Sequence, residues 1–355
     1  MAIIEKTASP YDNLDTKAFW RPAVADRSFH DVKDISTPLI FTKADKIATA
    51  GSCFAQHIGR HLRDRGATYM DLEPAPPIFV KAGDAQKFGF GIYSCRYGNI
   101  YTTRQLFQLV QEAMGQRKVK NPVWEKAGRY YDALRPGIDP VGQDSAQDVI
   151  GNRVQHLNAV LEMFRTLDVF VFTLGLTEGW VDSSDSTVFP SAPGTICGTY
   201  TQDRFSFINL SYNDILADLI SFADILRGIN TSARILLTVS PVPLTATASG
   251  EHVLVASTYS KSVLRAVAGF LDQTDERFSY FPSYELISSH PSRGMFFNPD
   301  MRTVNDAGVH LVMDHFFRDL ADFKSAGELV SSEQNIELIC EEKHLDPLSQ
   351  MKVRD

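Results

Sequence analysis

Four short apolar runs, separated by amphipathic segments, are the feature of this sequence that most constrains its fold. Turn-forming or polar residues bound each run, as is typical of buried parallel strands; the runs cover residues 46–51, 168–175, 233–242 and 278–287. Apolar residues recur with helical spacing over residues 53–65, 147–166, 212–228, 253–272 and 305–322. Strands that alternate with helices in this way indicate βαβ units, which place helices on both faces of a parallel sheet. We therefore predict an α/β fold, a three-layer α/β/α sandwich with a mostly parallel central sheet.

The same pattern divides the chain into three parts. Residues 1–44 mix turn formers, aromatics and charges, which predicts an N-terminal arm packed on the domain. Residues 45–322 hold the predicted strands and helices and form that domain. Its insertions are predicted over about 76–145 and 181–206, where Pro, Gly, Asp and Tyr are frequent. Residues 323–355 are expected to form a charged C-terminal tail.

Charge and hydrophobicity exclude several classes of protein. The 355 residues include 35 Lys and Arg against 43 Asp and Glu, a formal net charge of −8. This balance disfavours binding to nucleic acid or to anionic membranes. No stretch approaches the roughly 18 apolar residues that a membrane span needs, and the first residues lack the basic and apolar regions of a signal peptide. We therefore expect a cytoplasmic protein.

Neither a metal nor a cofactor is predicted. The cysteines lie far apart in sequence, without paired spacing or a neighbouring histidine pattern, at Cys53, Cys95, Cys197 and Cys340. This spacing indicates neither a zinc site nor a disulfide framework. The sequence also contains no Gly-rich phosphate loop and no metalloprotease motif.

Ser52 is the residue whose position most strongly suggests chemistry. It follows Gly51 at the end of the first predicted strand and precedes a predicted helix. Ligands of such sheets bind at the carboxyl ends of the strands. The polarised N–H groups at a helix start are suited to stabilise the oxyanion that forms when a serine attacks an ester. The alternative is that Ser52 only caps the helix, since serine is a favoured N-cap residue.

Residues 51–55, Gly-Ser-Cys-Phe-Ala, resemble the signature of the GSCFA family. Further blocks match this family in order, within about residues 10 to 320; they lie at 97–102, 104–106, 173–178, 240–244, 259–262, 280–285 and 302–304. The family is similar to the SGNH (GDSL-like) hydrolases, which have a three-layer α/β/α fold. The resemblance implies that Ser52 is the nucleophile of a serine-dependent acyl-ester hydrolase or O-acyltransferase. Its expected substrate is an acyl ester, with O-acetyl groups of carbohydrates favoured.

The resemblance also implies which residues hold the oxyanion or the substrate. Gly98 and Asn99 fall in the interval of the second SGNH block, whose glycine donates an N–H group. Gly175 and Thr177 fall on the third block, Gly-x-Asn, with Thr in place of Asn. A threonine hydroxyl donates one hydrogen bond but is shorter than a carboxamide. Glu178 beside it is expected to contact substrate or to accept a hydrogen bond.

The catalytic base departs from the SGNH pattern. Those enzymes carry Asp-x-x-His before the last helix, where the histidine takes the serine proton and the aspartate orients the imidazole. Here the block over residues 300–303 begins with Asp300 but ends with Thr303, and threonine is no general base at neutral pH. His290, in the same loop, is therefore predicted to be the base. Asp300, or Glu285 in its place, is predicted to orient it.

Several other side chains are weaker candidates. Arg104 opens a helical stretch and is a candidate to hold an anionic or sugar substrate. His57, His310 and His315 lie on predicted helices, which place them less favourably than His290. Cys53 is expected to pack rather than to react.

The missing histidine keeps a second class of function open. A protein that retains the SGNH scaffold without its base would be a non-catalytic glycan-binding module, and Thr177 and Thr303 favour this alternative. A third hypothesis is a regulatory protein whose residues 323–355 recruit a partner. Residues 260–262, Ser-Lys-Ser, resemble a Ser–Lys pair, but we expect a lysine in the middle of a helix to be solvated.

Overall fold

The computed structural model describes residues 9–35, 39, 41–318, 320, 322–323 and 341–345. Within these residues the α-helices are α1 (Ala55–Asp64), α2 (Pro77–Ala82), α3 (Thr103–Ala113), α4 (Ala146–Thr166), α5 (Tyr212–Ile229), α6 (Val253–Thr274), α7 (Ser283–Ser288) and α8 (Asp306–Phe317). The strands are β1 (Lys46–Gly51), β2 (Thr68–Tyr69), β3 (Val123–Lys126), β4 (Arg129–Asp132), β5 (Val169–Leu174), β6 (Glu178–Asp182), β7 (Thr187–Phe189), β8 (Phe205–Asn209), β9 (Arg234–Val239) and β10 (Phe278–Phe281). Short helical turns complete the list at Thr16–Ala18, Arg21–Ala25, Phe29–Asp31, Gln86–Phe88, His290–Ser292 and Glu341–Leu345.

A five-stranded parallel sheet in the order β2-β1-β5-β9-β10 forms the centre of the fold. The chain enters at β1, adds β2 on one side, and then crosses over to add β5, β9 and β10 on the other. The strand order therefore reverses between β1 and β5, where Gly51 is paired with Thr173. Open α/β sheets bind ligands at this switch point, beside the carboxyl ends of the two strands.

Helices cover both faces of the sheet, which confirms the predicted three-layer sandwich. Successive strand residues point to opposite faces. Ala50 and Phe172 pack on the side of α3, α4, α5 and α6. Ile47 and Val171 pack on the side of α1, α7 and α8. The predicted parallel strands owe their continuous apolar runs to this burial on both sides.

Polar side chains explain where the long helices begin. Ser145 caps α4 and Asn305 caps α8, while Ser211 and Asp214 form a capping box at the start of α5. Each cap accepts a hydrogen bond from an N–H group that has no partner within its helix. The helices predicted at these places and over 253–272 are confirmed.

The prediction of one strand over residues 278–287 is wrong in its second half. β10 ends at Phe281, and α7 begins two residues later. Pro282 has no N–H group to donate to a sheet and therefore ends the strand. The Tyr280 hydroxyl then donates a hydrogen bond to Glu285 (2.8 Å), which ties the first turn of α7 back to β10.

The stretch over residues 76–145, predicted as an insertion, is only partly peripheral. Leu106 and Val110 of α3 are buried in the core beside α5. The same stretch contains the antiparallel hairpin β3-β4. Residues 181–206 contribute β7 and parts of β6 and β8 to a three-stranded antiparallel sheet in the order β7-β6-β8.

A buried ion network fixes α3 and α4 against the β3-β4 hairpin. Arg153 of α4 pairs with Glu112 of α3 and with Asp132 at the end of β4. Arg135 also donates to Asp132, with an Nε–Oδ2 distance of 2.7 Å. Burial raises the pKa of Asp132, but the two guanidinium groups outweigh it and lower this pKa to about 2.

Candidate active site

Ser52 lies at the switch point of the sheet with an unsatisfied hydroxyl. Its side chain is buried (3% exposed), and its N–H group donates to the Thr173 carbonyl (3.1 Å). Within the described part of the chain, Ser52 Oγ has no hydrogen-bond partner. A buried polar group without a hydrogen-bond partner lowers the stability of the fold by about 1–3 kcal/mol. Such groups are rare in native proteins, and a catalytic role is one explanation for them.

The alternative that Ser52 only caps α1 is wrong. The helix begins at Ala55, and Phe54 occupies the cap position without a side-chain hydrogen bond. The Ser52 carbonyl, not its hydroxyl, accepts from the Ala55 N–H group (2.9 Å). The hydroxyl is therefore available beside the positively polarised start of a ten-residue helix.

Gly175, which follows β5, lies directly against Ser52. A β-carbon on residue 175 would stand 3.0 Å from the Ser52 β-carbon and 3.0 Å from the Tyr101 carbonyl oxygen. The N–H groups of Gly175 and Leu176 both donate to that carbonyl, at 3.2 and 2.9 Å. An added β-carbon would therefore crowd this junction of three segments. The structure also brings Tyr101, which sequence reasoning did not single out, to the site.

Gly98 and Asn99 lie on a segment held against the end of β1. The next residue, Ile100, donates its N–H group to the Gly51 carbonyl (2.9 Å). Asn99 Oδ1 accepts from the Tyr93 hydroxyl (2.5 Å), which also lies 3.1 Å from the Ser52 carbonyl oxygen. Asn99 thus contacts, through Tyr93, the residues between β1 and α1 (residues 52–54), which we call the serine loop. Gly98, which precedes Asn99, adopts a positive φ of 69°.

Thr177 and Glu178 are engaged within the protein. Thr177 Oγ1 donates to Asn209 Oδ1 (2.6 Å), and its N–H group donates to Ser260 Oγ (3.1 Å). Glu178 Oε1 accepts from the Thr247 hydroxyl (2.8 Å), and burial raises the pKa of this carboxyl group. In this structure these contacts fix the loop after β5.

Lys261 is a basic residue at the site that sequence reasoning placed in solvent. It lies in the first half of α6, is 3% exposed, and its Nζ donates to the Gly175 carbonyl (2.7 Å). Burial lowers the pKa of Lys261 to about 8. The prediction of a solvated lysine is therefore wrong, because the first turns of α6 lie over the carboxyl edge of the sheet. The family-like block at residues 259–262 was the signal that could have found it.

Thr303 occupies the position predicted from the Asp-x-x-His pattern. Its hydroxyl donates to Asp300 Oδ2 (2.8 Å), and the N–H groups of Arg302 and Thr303 donate to Asp300 Oδ1 (2.9 Å each). Val304 packs against Cys53 and Val242, so this loop reaches the start of α1. Asp300 therefore orients a threonine rather than an imidazole.

The structure does not bring His290 to Ser52. His290 is exposed and its ring stacks on Trp20, with ring centroids 5.3 Å apart. It follows α7, whose first residue, Ser283, is anchored at the sheet edge by a hydrogen bond to the Val239 carbonyl (2.9 Å). The assignment of His290 as base finds no support in this geometry.

The remaining histidine and arginine candidates have other surroundings. His57 packs on Phe54, and burial lowers the pKa of its imidazole to about 3. His315 has a pKa lowered to about 4 by burial, and His310 lies edge-on to His61. Arg104 is not directed at Ser52: its Nε donates to Asp218 (2.6 Å) in the α3–α5 interface.

The remaining predictions concern metals and membranes. Among the described residues, no group of three or more His, Cys, Asp or Glu side chains could hold a metal ion. The same residues include no helix that is long and apolar enough to cross a membrane. Cys53, Cys95 and Cys197 are buried and form no disulfide with one another, and Cys340 lies outside the described residues.

Comparison with known proteins identifies the family of this chain. No curated protein matches the chain. The model of the GSCFA family matches residues 46–316, from the first residue of β1 into α8. The matched region includes the serine loop, the strand ends beside it and the loop that carries Thr303. Because the match covers most of the chain, the chain belongs to the GSCFA family.

Proposed function

We propose that this protein is a serine-dependent acyl-ester hydrolase or O-acyltransferase with Ser52 as its nucleophile. The observation that carries the proposal is the buried Ser52 hydroxyl, which has no hydrogen-bond partner among the described residues and faces the switch point of the sheet. A structural serine in this position would be expected to cap α1 or to bond a neighbouring carbonyl. The expected substrate is an O-acetyl or similar ester on a carbohydrate.

The reaction proceeds through an acyl-enzyme. Ser52 Oγ attacks the acyl carbonyl carbon and gives its proton to a base. The base returns this proton to the leaving oxygen as the tetrahedral intermediate collapses, so that an alcohol leaves and the acyl group stays on Ser52. Water or a sugar hydroxyl then takes the acyl group from Ser52. The start of α1 supplies positive potential for the oxyanion, and the absence of a side chain at Gly175 lets the end of β5 lie directly against the nucleophile.

We propose Lys261 as the base. Its Nζ contacts the Gly175 carbonyl, and Gly175 contacts Ser52. With a pKa lowered to about 8 by burial, about one tenth of the amine is neutral at pH 7. Thr303 offers no such group, because a threonine hydroxyl does not accept a proton at neutral pH. Burial raises the pKa of Asp300, but hydrogen bonds from Arg302 and Thr303 outweigh it and lower this pKa, so the carboxylate is a weak base.

Labelling with a fluorophosphonate serine probe tests this proposal. Folded wild-type protein is expected to label, and Ser52→Ala to lose labelling completely. Lys261→Met is expected to slow labelling at least tenfold, whereas His290→Ala, which removes an exposed ring, leaves the rate unchanged. Cys53→Ala is the control for the neighbouring thiol and retains labelling.

A second candidate function is a non-catalytic glycan-binding module on the same scaffold. The observation that favours it is the hydrogen bond between Thr303 and Asp300, which replaces the usual imidazole by a group without basicity. Folded wild-type protein that does not label, but binds glycans with the same affinity in the Ser52→Ala variant, would favour this function over the enzyme.

A further inference from the structure

A carboxylate of the chain itself is paired with the loop that carries Thr303. Glu342 belongs to the short helical turn Glu341–Leu345 and is 8% exposed, although its segment lies far along the chain from the site. It forms an ion pair with Arg302. Buried carboxylates persist only where cations compensate for the loss of hydration, so Glu342 marks a place that is built to hold an anion.

Arg302 connects this anion to the reacting group. It lies between Asp300 and Thr303, and Val304 two residues on packs against Cys53, which follows the nucleophile. The Arg302 side chain is only 17% exposed in its ion pair. The guanidinium group is therefore held at the same edge of the sheet as Ser52.

Lys261 is a basic group in the surroundings of this carboxylate. The charge of Glu342 raises the pKa of Lys261, while the charge of Arg302 lowers it, so the three groups lie within electrostatic range of one another. Arginine is the side chain that proteins favour for holding carboxylates, because its planar guanidinium group matches their geometry.

We propose that Arg302 forms an anion subsite for the carboxylate of an acidic sugar, and that Glu342 occupies this subsite as an internal competitor. The inference rests on the proposed function in taking the acyl-bearing glycan as the ligand. It deepens that function by naming the substrate class, an ester of a uronic acid or a similarly acidic sugar.

Glu342 is better suited to be a competitor than a base. Its carboxylate is already paired with the Arg302 guanidinium group. Ser52 Oγ has no hydrogen bond to it or to any other described residue. An internal ligand acts at an effective concentration of about millimolar, so a free sugar has to compete with it.

Calorimetric titration of the full chain tests the subsite directly. The probes are methyl β-D-glucuronide and its neutral counterpart, methyl β-D-glucoside, and Ser52→Ala is the background so that turnover does not contribute. Glu342→Gln is expected to bind the glucuronide at least tenfold more tightly than the background protein. Arg302→Gln, added to Glu342→Gln, is expected to remove this gain, while Glu276→Gln, an exposed surface carboxylate, leaves affinity unchanged.

Each result decides between the hypotheses. Equal affinity for the glucuronide and the glucoside in Glu342→Gln, or no glucuronide binding at all, overturns the subsite, provided that thermal unfolding shows the variant to be folded. Serine-probe labelling is measured separately, on the Glu342→Gln variant with Ser52 intact. Loss of labelling in that variant would instead identify Glu342 as the base and overturn the competitor role. If the protein binds the glucuronide but its Ser52 never reacts with the serine probe, this result would support the subsite and refute the proposed enzymatic function.

Discussion

Gly175 and Ser52 are so close that a β-carbon on residue 175 would lie 3.0 Å from the β-carbon of the serine. This contact joins the ends of β1 and β5, the two strands between which the order of the sheet reverses. It places the candidate nucleophile at the switch point where ligands of such sheets bind. The close approach requires the absence of a side chain at residue 175.

Gly175→Ala is therefore expected to impair the site. The added methyl group meets Ser52 and the Tyr101 backbone well inside ordinary contact distance, and overpacking of this kind typically costs about 1–3 kcal/mol of stability. We expect serine-probe labelling to slow by at least tenfold, measured on protein that is still folded. Gly228→Ala is the matched control, because nothing lies within 4 Å of the new methyl group; in the exposed end of α5 it should stabilise the protein by about 0.5–1 kcal/mol. Equal labelling rates in the two variants would refute the argument.

Thr303→His is expected to increase the reactivity of Ser52. Asp300 already accepts a hydrogen bond from residue 303 and would orient an imidazole there, which supplies a stronger base at neutral pH. We predict that the labelling rate rises at least tenfold at pH 7.5.

The control for Thr303→His is the double variant with Asp300→Ala, which should lose most of the increase because the imidazole is no longer oriented. Thr303→Ala is expected to label like the wild type. A histidine at residue 303 that leaves the rate unchanged would show that this loop does not reach the nucleophile.

Periodicity predicted the layers of the fold because burial on both sides of a parallel sheet leaves a direct mark on sequence. β5 is apolar at five of its six positions and β9 at four of six, and α4 and α5 carry their apolar stripes after clear N-caps. The short helix α7 left no such mark. The sequence pattern of six residues that follow a proline fits a strand as well as a helix. Only tertiary contacts determine that this segment is helical.

The same error explains the misplaced base. A histidine directly after a strand would lie at the catalytic edge, and His290 was placed there by that rule. Six helical residues displace the chain by about 9 Å, and His290 ends on the surface against Trp20. The burial of Lys261 at the site was not predicted for a related reason. The position of a residue within a helix does not indicate whether that part of the helix lies over the carboxyl edge of the sheet.

Removing Asp132 is expected to destabilise the protein strongly. Asp132→Ala leaves the guanidinium groups of Arg135 and Arg153 buried near each other without their shared carboxylate. Breaking one partner out of a buried ion pair typically costs about 3–5 kcal/mol, which urea denaturation would measure as a lower midpoint. Asp144→Ala removes a carboxylate that is 85% exposed and paired with Arg129, so it should cost less than about 1 kcal/mol. Similar midpoints for the two variants would mean that the buried network contributes little.

The buried histidines predict that stability falls in mild acid. Burial lowers the pKa of His57 to about 3 and that of His156 to about 4. A histidine in the unfolded chain has a pKa of about 6.5. Between pH 6.5 and pH 4 the unfolded state therefore binds more protons than the folded state, and the free energy of unfolding decreases as the pH falls. Each histidine contributes up to about 1.4 kcal/mol per pH unit in this range.

Glu73 adds nothing to this loss until the pH is lower. Burial raises its pKa, but the hydrogen bond from His156 and the Arg135 charge outweigh burial and hold it at about 2, so its contribution is lost only below about pH 4.5. Urea denaturation at pH 7.5, 6.0 and 5.0 should give steadily lower free energies of unfolding, and His57→Leu should reduce the slope. A free energy of unfolding that is constant or rises between pH 7.5 and pH 5.0 would show that these histidines are not buried in their neutral form.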